Sequence, residues 1–476
     1  MDHTWIIEKA YIQGEFVDAK DKFDVLNPAT NQRVGKVPEI PLNQIEKAIT
    51  YAENAWQTWK TTTVGERSQL LQKLYQLTLE HREQLAEVMT LESGKPLQES
   101  LAEVDYAASF IVWFAEEAKR AYGDTIPSVS SGNKLFTIKQ SVGVVAAITP
   151  WNFPLAMLTR KVAPALAAGC TVILKPASQT PFTALAFAKL AQEAGIPGGA
   201  FQVVTSTNSK AVGKLLATSE LIRKISFTGS TGVGRTLMEQ AASTIKRTSM
   251  ELGGNAPFIV FDDADIQAAV KGAVAAKFRN AGQTCVSVNR FYVHDAVYDK
   301  FAAALSEEVS QLKVGNGLDE GVKVGPLINE KAVEKVQKHV KDALDRGAKA
   351  ATGGKHLKGN FYAPTVLTNV HAESLIASEE TFGPICALFR FSTEEEAIKA
   401  ANNTPFGLAA YFYSENVHRC HRVSEQLESG MVGVNTGVIS DASAPFGGVK
   451  QSGVGREGSH HGLDEYLEIK YISYGQ

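Results

Sequence analysis

The chain reads as an α/β protein of two parallel-sheet domains, and three observations carry that expectation. Strand and helix patterns alternate from residue 143 to about 250 and again from 264 to 435, and repeated strand–helix–strand units fold into parallel sheets with helices on both faces. A length of 476 residues exceeds what one hydrophobic core fills, so two or three domains are expected. Short Gly-, Pro- and Ser-bearing motifs close the strands, at the edge where open α/β sheets bind ligands.

Residues 11–38 predict short strands joined by turns, and helices then dominate to about residue 121. Thr63 and Glu66 have the spacing of a capping box, and Leu70, Leu71, Leu74 and Leu77 form a core-facing helical stripe. Gly94 and Pro96 close that segment. TIPSVSSGNKLFTIKQ (125–140) predicts two extended runs about a Ser-Gly-Asn turn, a hairpin suited to assembly. Strands GVVAAITPW (143–151), CTVILK, FQVVT and KISFT then alternate with helices, the first two of which end at Gly169 and Gly195. After MELGGNAPFIVF, the helix pattern ADIQAAVKGAVAAKF and strands such as ICALFRF build the second unit. The closing YLEIKYISYG stays ordered only as a paired strand, an edge that a neighbouring subunit can supply.

Composition excludes several classes of function. The formal charge of −3 comes from 48 basic and 51 acidic residues spread evenly, which argues against nucleic-acid and membrane-surface partners. The N-terminus has no signal-peptide pattern and no apolar run nears membrane-spanning length, so the expected location is cytoplasmic. Four cysteines, at 170, 285, 386 and 420, form no C-x-x-C pair and suit free thiols in a reducing compartment. VHRCHR and the His460–His461 pair match no metal-ligand spacing, and no metal is expected.

Chemistry concentrates in ITPWNFP (148–154), KPASQTP (175–181), FTGSTGVG (227–234), ELGGN (251–255) and NAGQTC (280–285). FTGSTGVG follows a strand and opens a helix, so its backbone N–H groups can approach a pyrophosphate at the positive helix end. Lys175 ends a neighbouring strand, and Ser178 replaces the acid that would clasp ribose hydroxyls and repel a 2′-phosphate, a pairing that admits NADP. Cys170 and Cys386 lie in apolar runs, as small buried hydrophobes do. Cys285 instead lies among Gly282, Gln283, Thr284 and Ser287, a poor apolar niche but a suitable one for a nucleophile that captures a carbonyl and releases an acid. Glu251 and Asn152 are the candidate base and oxyanion donor.

In this order ITPWNFP, KPAS, FTGSTGVG, ELGGNAP, NAGQTC, EETFGP and PFGGVKQSGVGREGS resemble the NAD(P)-dependent aldehyde dehydrogenase superfamily, almost end to end. The segment APFGGVKQSGVGREGSHHGLDEYLEIKY is most similar to succinate-semialdehyde dehydrogenases. The resemblance implies Cys285 as nucleophile, Glu251 as general base, and the Asn152 amide with the Cys285 N–H as oxyanion donors. It implies NADP or NAD bound by Trp151, Lys175, Ser178, Gly229, Ser230 and Leu252, with Glu380 on the nicotinamide ribose and Phe382 near the nicotinamide. Arg160, Arg290 and Ser440 match the positions that hold a substrate carboxylate, so the expected substrate is a small aldehyde, succinic semialdehyde foremost. Glutaric semialdehyde or general aliphatic aldehydes are the alternatives, and a non-catalytic binding relative is the reading from another class. The implied architecture assigns 1–121 and 142–250 to cofactor binding, 251–457 to catalysis, and 122–141 with 458–476 to assembly as a homodimer or homotetramer. Ser287 stands where some members carry a second cysteine, so no local disulfide is expected there.

Overall fold

The computed structural model describes residues 3–130 and 132–475. After the paired strands Lys22–Leu26 and Arg33–Pro38, four helices run from Leu42 to Glu117. Thr63 and Glu66 form the expected reciprocal capping box at the start of the helix Val64–Glu80. Leu71 and Leu74 are buried and Leu70 and Leu77 pack partly against the same core. Gly94, at φ +79°, ends the helix Arg82–Ser93, and a Cβ there would meet Pro326 and Pro28 at 2.6 and 2.7 Å.

Among the described residues the first sheet has eight strands, in the order Gly453–Val454, Arg247–Glu251, Ile222–Thr228, Val144–Ile148, Thr171–Lys175, Phe201–Val203, Ala10–Ile12 and Glu15–Val17. The five strands from Arg247–Glu251 to Phe201–Val203 are parallel, and the outer ones pair antiparallel. Starting at Val144–Ile148, the chain adds strands on one side, then returns to add Ile222–Thr228 on the other. This reversal opens a crevice beyond the carboxyl ends of Val144–Ile148 and Ile222–Thr228. Gly453–Val454 comes from the 251–457 segment and yet completes the first sheet.

The second sheet has seven strands among the described residues, in the order Lys349–Thr352, Thr365–Thr368, Ile385–Phe391, Val288–His294, Ala256–Val260, Ala409–Tyr413 and Met431–Val434. All neighbours are parallel except the first pair. The first sheet lies between two hydrophobic clusters, one on each face, and the second sheet packs in a third. The chain passes from one sheet to the other at Glu251–Ala256, so the carboxyl edge of the first faces the amino edge of the second.

The tail is a paired strand, as expected. Leu467–Gly475 pairs along its whole length with the chain's own Asn133–Ser141, from Leu467 opposite Ser141 to Gly475 opposite Asn133. Thr125–Ile126 completes this third sheet, and the Phe136 and Tyr474 rings stack at 5.4 Å. This pairing uses one edge of the tail strand, and its other edge has no partner strand among the described residues. Ser131 of the expected hairpin turn lies outside the described residues. Among the described residues no helix is long and apolar enough to cross a membrane.

The helix Ala156–Ala168 is buried at all thirteen positions, including Thr159, Arg160 and Lys161. A helix enclosed on every side normally carries no charge, and buried charges require partners. Arg160 and Lys161 both find Glu457, contributed from near the opposite end of the chain.

Candidate active site

A cavity of about 390 Å³ opens where the two sheet edges meet. Trp151 and Asn152 reach it from the turn after Val144–Ile148, Gly229 and Ser230 from the turn after Ile222–Thr228, and Glu251 and Leu252 from the end of Arg247–Glu251. The second sheet's side contributes Cys285, Glu380, Phe382 and Ser440. Lys175 and Ser178 stand outside this cavity, at the end of the adjacent strand Thr171–Lys175.

Cys285 is presented by a strained turn. Asn280 and Ala281 take left-handed φ values of 50° and 55°, and Gly282 follows at 75°. Left-handed non-glycine residues in succession are costly, so surrounding contacts must hold them. A Cβ on Gly282 would lie 2.2 Å from the Gly383 carbonyl oxygen, which excludes any side chain there. The Asn280 N–H donates to the Glu99 carboxylate at 2.7 Å, and its side-chain Nδ2 to the carbonyls of Asn152 (3.0 Å) and Gln283 (3.3 Å). Gln283 in turn donates to the Asn280 and Pro326 carbonyls and accepts the Ile328 N–H.

The Asn152 Nδ2 donates to the Gln283 carbonyl at 2.9 Å, which leaves its second amide proton uncommitted. The backbone N–H of Cys285 also lacks an acceptor among the described residues. Burial pushes the Cys285 thiol up to about 12, with Arg160 opposing and Glu380 and Glu251 reinforcing the shift. The residue keeps some exposure to the cavity, and burial is still the largest cause of the shift.

Two acids line the cavity. Glu251 is buried and one of its carboxylate oxygens, Oε2, has no partner. Its carboxyl is held well above the usual range, first by burial and then by Glu457, against the pull of Lys161, Arg160 and Arg456. Glu457 takes the ion pairs that Glu251 lacks, with Lys161 and with Arg160 Nε at 3.3 Å. Glu380 accepts the Gly254 N–H at 3.1 Å, and burial raises its carboxyl to about 7.

The three arginines near these motifs have different fates. Arg160 faces the cavity, donates to Tyr106 Oη at 2.7 Å and lies 4.1 Å above the Phe446 ring. Arg290 does not reach the site. It belongs to the central strand Val288–His294, is 1% exposed, and donates to the carbonyls of Asn255, Ala400 and Ala401 and toward Tyr292 Oη. Those bonds occupy all five guanidinium protons, so the expectation that Arg290 binds a carboxylate is corrected. Arg279, which sequence reasoning passed over, lines the cavity 5.1 Å from the Phe153 ring and makes no ion pair among the described residues. Its sequence signal is faint: a cation ending the apolar helix Ile266–Phe278, six residues before Cys285. Glu457, Lys161 and Asn280 were likewise not singled out.

The other end of the site suits an extended anion. Ser230 caps the eleven-residue helix Thr231–Ala241 without a side-chain capping bond, leaving the first-turn N–H groups free. Gly234 lets that helix close on Leu252, whose Cδ2 would lie 2.4 Å from a Cβ. Trp151 and Phe382 meet edge to face at 5.7 Å. Lys175 Nζ donates to Ser209 Oγ at 2.8 Å and has two further protons to offer, while burial draws its ammonium down to about 8. VHRCHR forms part of the surface helix Val417–Gln426, where Arg419 pairs with Asp262, Asp263 and Glu394.

Two doubly wound sheets meeting at a buried thiol, a free amide and an unpaired carboxylate define a cysteine-dependent oxidoreductase of the α/β class. Residues 16–472 match the aldehyde dehydrogenase family model. The chain belongs to that family. It is 57% identical to the NADP(+) succinate-semialdehyde dehydrogenase of Escherichia coli K12, covering 100% of this chain and 99% of that one. It is 56% identical to the glutarate-semialdehyde dehydrogenase of Pseudomonas putida, covering 98% and 97%. The crystal structure of succinate-semialdehyde dehydrogenase from Burkholderia pseudomallei superposes with a TM-score of 0.99 at 53% identity, covering 100% of this chain and 99% of that one.

A thiol titrating near 12 is mostly protonated at neutral pH, and only the thiolate alkylates rapidly. Iodoacetamide should therefore inactivate the free enzyme ever faster as pH rises from 7 to 10, with no levelling. A plateau below pH 9 would contradict the burial of the sulfur.

Proposed function

We propose that this aldehyde dehydrogenase oxidises an ω-carboxylated aldehyde, succinic semialdehyde foremost, to the acid with NADP or NAD. The observation that carries the reading is one cavity holding Cys285, Asn152 and Glu251 together with Arg279, Arg160 and Ser440. A C4 aldehyde acid needs its carbonyl at the sulfur and its carboxylate a few bonds away. Arg279, free of ion pairs among the described residues, is the strongest candidate to receive that carboxylate, with Ser440 lining the same cavity and Arg160 adding positive potential.

In this mechanism the Cys285 thiol releases its proton to solvent and the thiolate Sγ attacks the aldehyde carbon, while the uncommitted Asn152 amide proton and the Cys285 N–H stabilise the oxyanion. The nicotinamide, when bound, supplies the hydride acceptor that turns the thiohemiacetal into a thioester. Glu251 then removes a proton from the water that hydrolyses the thioester. Glu251 lines the cavity without a hydrogen bond at Oε2, and its raised proton affinity makes it an effective base once ionised. The free helix terminus at Ser230 suits the pyrophosphate, and Glu380 the nicotinamide ribose. Lys175 and Ser178 suit the adenosine ribose, where the spare ammonium protons favour a 2′-phosphate.

We assign 1–121 and 142–250 to the cofactor unit and 251–457 to the catalytic unit. The third sheet exposes Ile469 and Tyr471 on one face and Tyr474 on the other, apolar surface that supports assembly as a homodimer or homotetramer.

Initial rates with succinic semialdehyde and butanal, each with NADP and NAD, test the whole reading. The carboxylated substrate should be preferred about tenfold or more, the value of one charge-assisted bond. Arg279→Ala should erase that preference while leaving butanal oxidation largely intact, whereas Arg290→Ala should lower stability rather than selectivity. Equal losses on both aldehydes in Arg279→Ala would remove the carboxylate assignment.

Glu251 gives a pH prediction of definite sign. Because its carboxyl is raised, lowering pH protonates it early and stops thioester hydrolysis, so turnover should rise with pH on the acid limb. Glu251→Gln should retain a first-turnover burst of reduced cofactor but lose steady-state rate by roughly 10²–10⁴-fold, with no acid limb. Normal steady-state turnover in that variant would assign the base elsewhere.

A further inference from the structure

Lys95 lies outside the cavity and is 1% exposed, yet it reaches the back of the site. Its Nζ pairs with the Glu103 carboxylate, donates to the Asn152 carbonyl oxygen at 2.7 Å and lies 4.2 Å above the Phe153 ring. Asn280 Nδ2 donates to the same oxygen at 3.0 Å. Two buried donors thus fill both lone pairs of the Asn152 carbonyl. The other Glu103 oxygen accepts the N–H groups of Leu155 (3.0 Å) and Ala156 (3.2 Å), where the buried helix begins. The Lys95 backbone is itself fixed, between the left-handed Gly94 and Gly317, where a Cβ would meet the Lys95 carbonyl at 2.2 Å.

These contacts immobilise the peptide plane that follows Asn152 and so the direction in which its amide leaves the main chain. We infer that Lys95, with Asn280, is a positioning residue that aims the oxyanion donor by gripping the main-chain carbonyl of Asn152. The inference rests on the reading of Asn152 as that donor. A buried ion pair is a poor device for stability alone, since an apolar pair of similar volume often serves as well. A directional grip on one carbonyl is what the apolar pair lacks.

The test combines Lys95→Met with Glu103→Gln, which removes both charges together and keeps an oxygen for the Leu155 and Ala156 N–H groups. Turnover of succinic semialdehyde and NADPH affinity, read by fluorescence titration, are measured with Asn152 intact and with Asn152→Ala. With Asn152 intact, kcat should fall roughly tenfold to a hundredfold, the effect of a misplacement of about 1 Å, while NADPH affinity holds. In Asn152→Ala, itself slower by roughly a hundredfold or more, the same pair should cost almost nothing further, because the group it aims is gone. Asn280→Gly, on a different element and tolerant of the left-handed turn, should repeat the pattern, and keeps the test open if the first protein does not fold. Unchanged kcat, losses that multiply with that of Asn152→Ala, or NADPH affinity falling in step with kcat would overturn the inference. Wild-type turnover in Asn152→Ala would instead sink the oxyanion reading, and this inference with it.

Discussion

The Asn152 side chain donates to the Gln283 carbonyl across 2.9 Å, joining segments 131 residues apart in the chain. One partner leaves the crevice of the first sheet, and the other belongs to the strained turn that presents Cys285. Together with the bond from Asn280 Nδ2 to the Asn152 carbonyl, it gives the reactive groups of the two sheet edges a common frame. With it, a left-handed turn that costs conformational energy is bound to a rigid neighbour, and Asn280 and Gln283 use their side chains to hold the same junction. Geometry at the sulfur is therefore a property of the contact between the sheets rather than of either one.

Much of the fold was legible because its signals are local. Alternating strand and helix patterns marked two sheets with parallel centres, while their antiparallel outer strands carry no such signal, and Thr63 with Glu66 marked a helix start that the structure shows as a capping box. Cys285 could be separated from Cys170 and Cys386 because its neighbours make a poor apolar niche, and the cavity wall is where it lies. The partner of the tail was illegible: an edge strand shows that it needs pairing, not which strand supplies it. Lys161 and Glu457 are 296 residues apart, and no spacing rule links them.

Arg279 and Arg290 show where local reasoning ends. They flank Cys285 at similar distances, six residues before and five after. Between them the chain reverses through Asn280, Ala281 and Gly282, so the residue ahead of the turn faces the cavity and the later one enters the middle of the second sheet. There a cation survives only if every proton is used, and three carbonyls and a tyrosine hydroxyl use them. Nothing in the identity of an arginine tells which side of such a turn it serves.

The same contrast runs through the whole site and connects its stability with its chemistry. Glu457, Arg290, Lys95 and Glu103 are buried with partners, and they stabilise the junction without being available to a ligand. Glu251 Oε2, Arg279, the second Asn152 amide proton and the Cys285 N–H are the groups left short of partners. Each buried polar group left unpaired costs about 1–3 kcal/mol, so a protein selected for stability alone would have filled them. Glu457 shows how the cost is contained: by taking Lys161 and Arg160, it supplies the counter-charges nearby while withholding direct contact from Glu251. Glu251 then keeps a raised proton affinity together with a carboxylate oxygen that no protein donor occupies, the two properties a base needs toward water in a dry site.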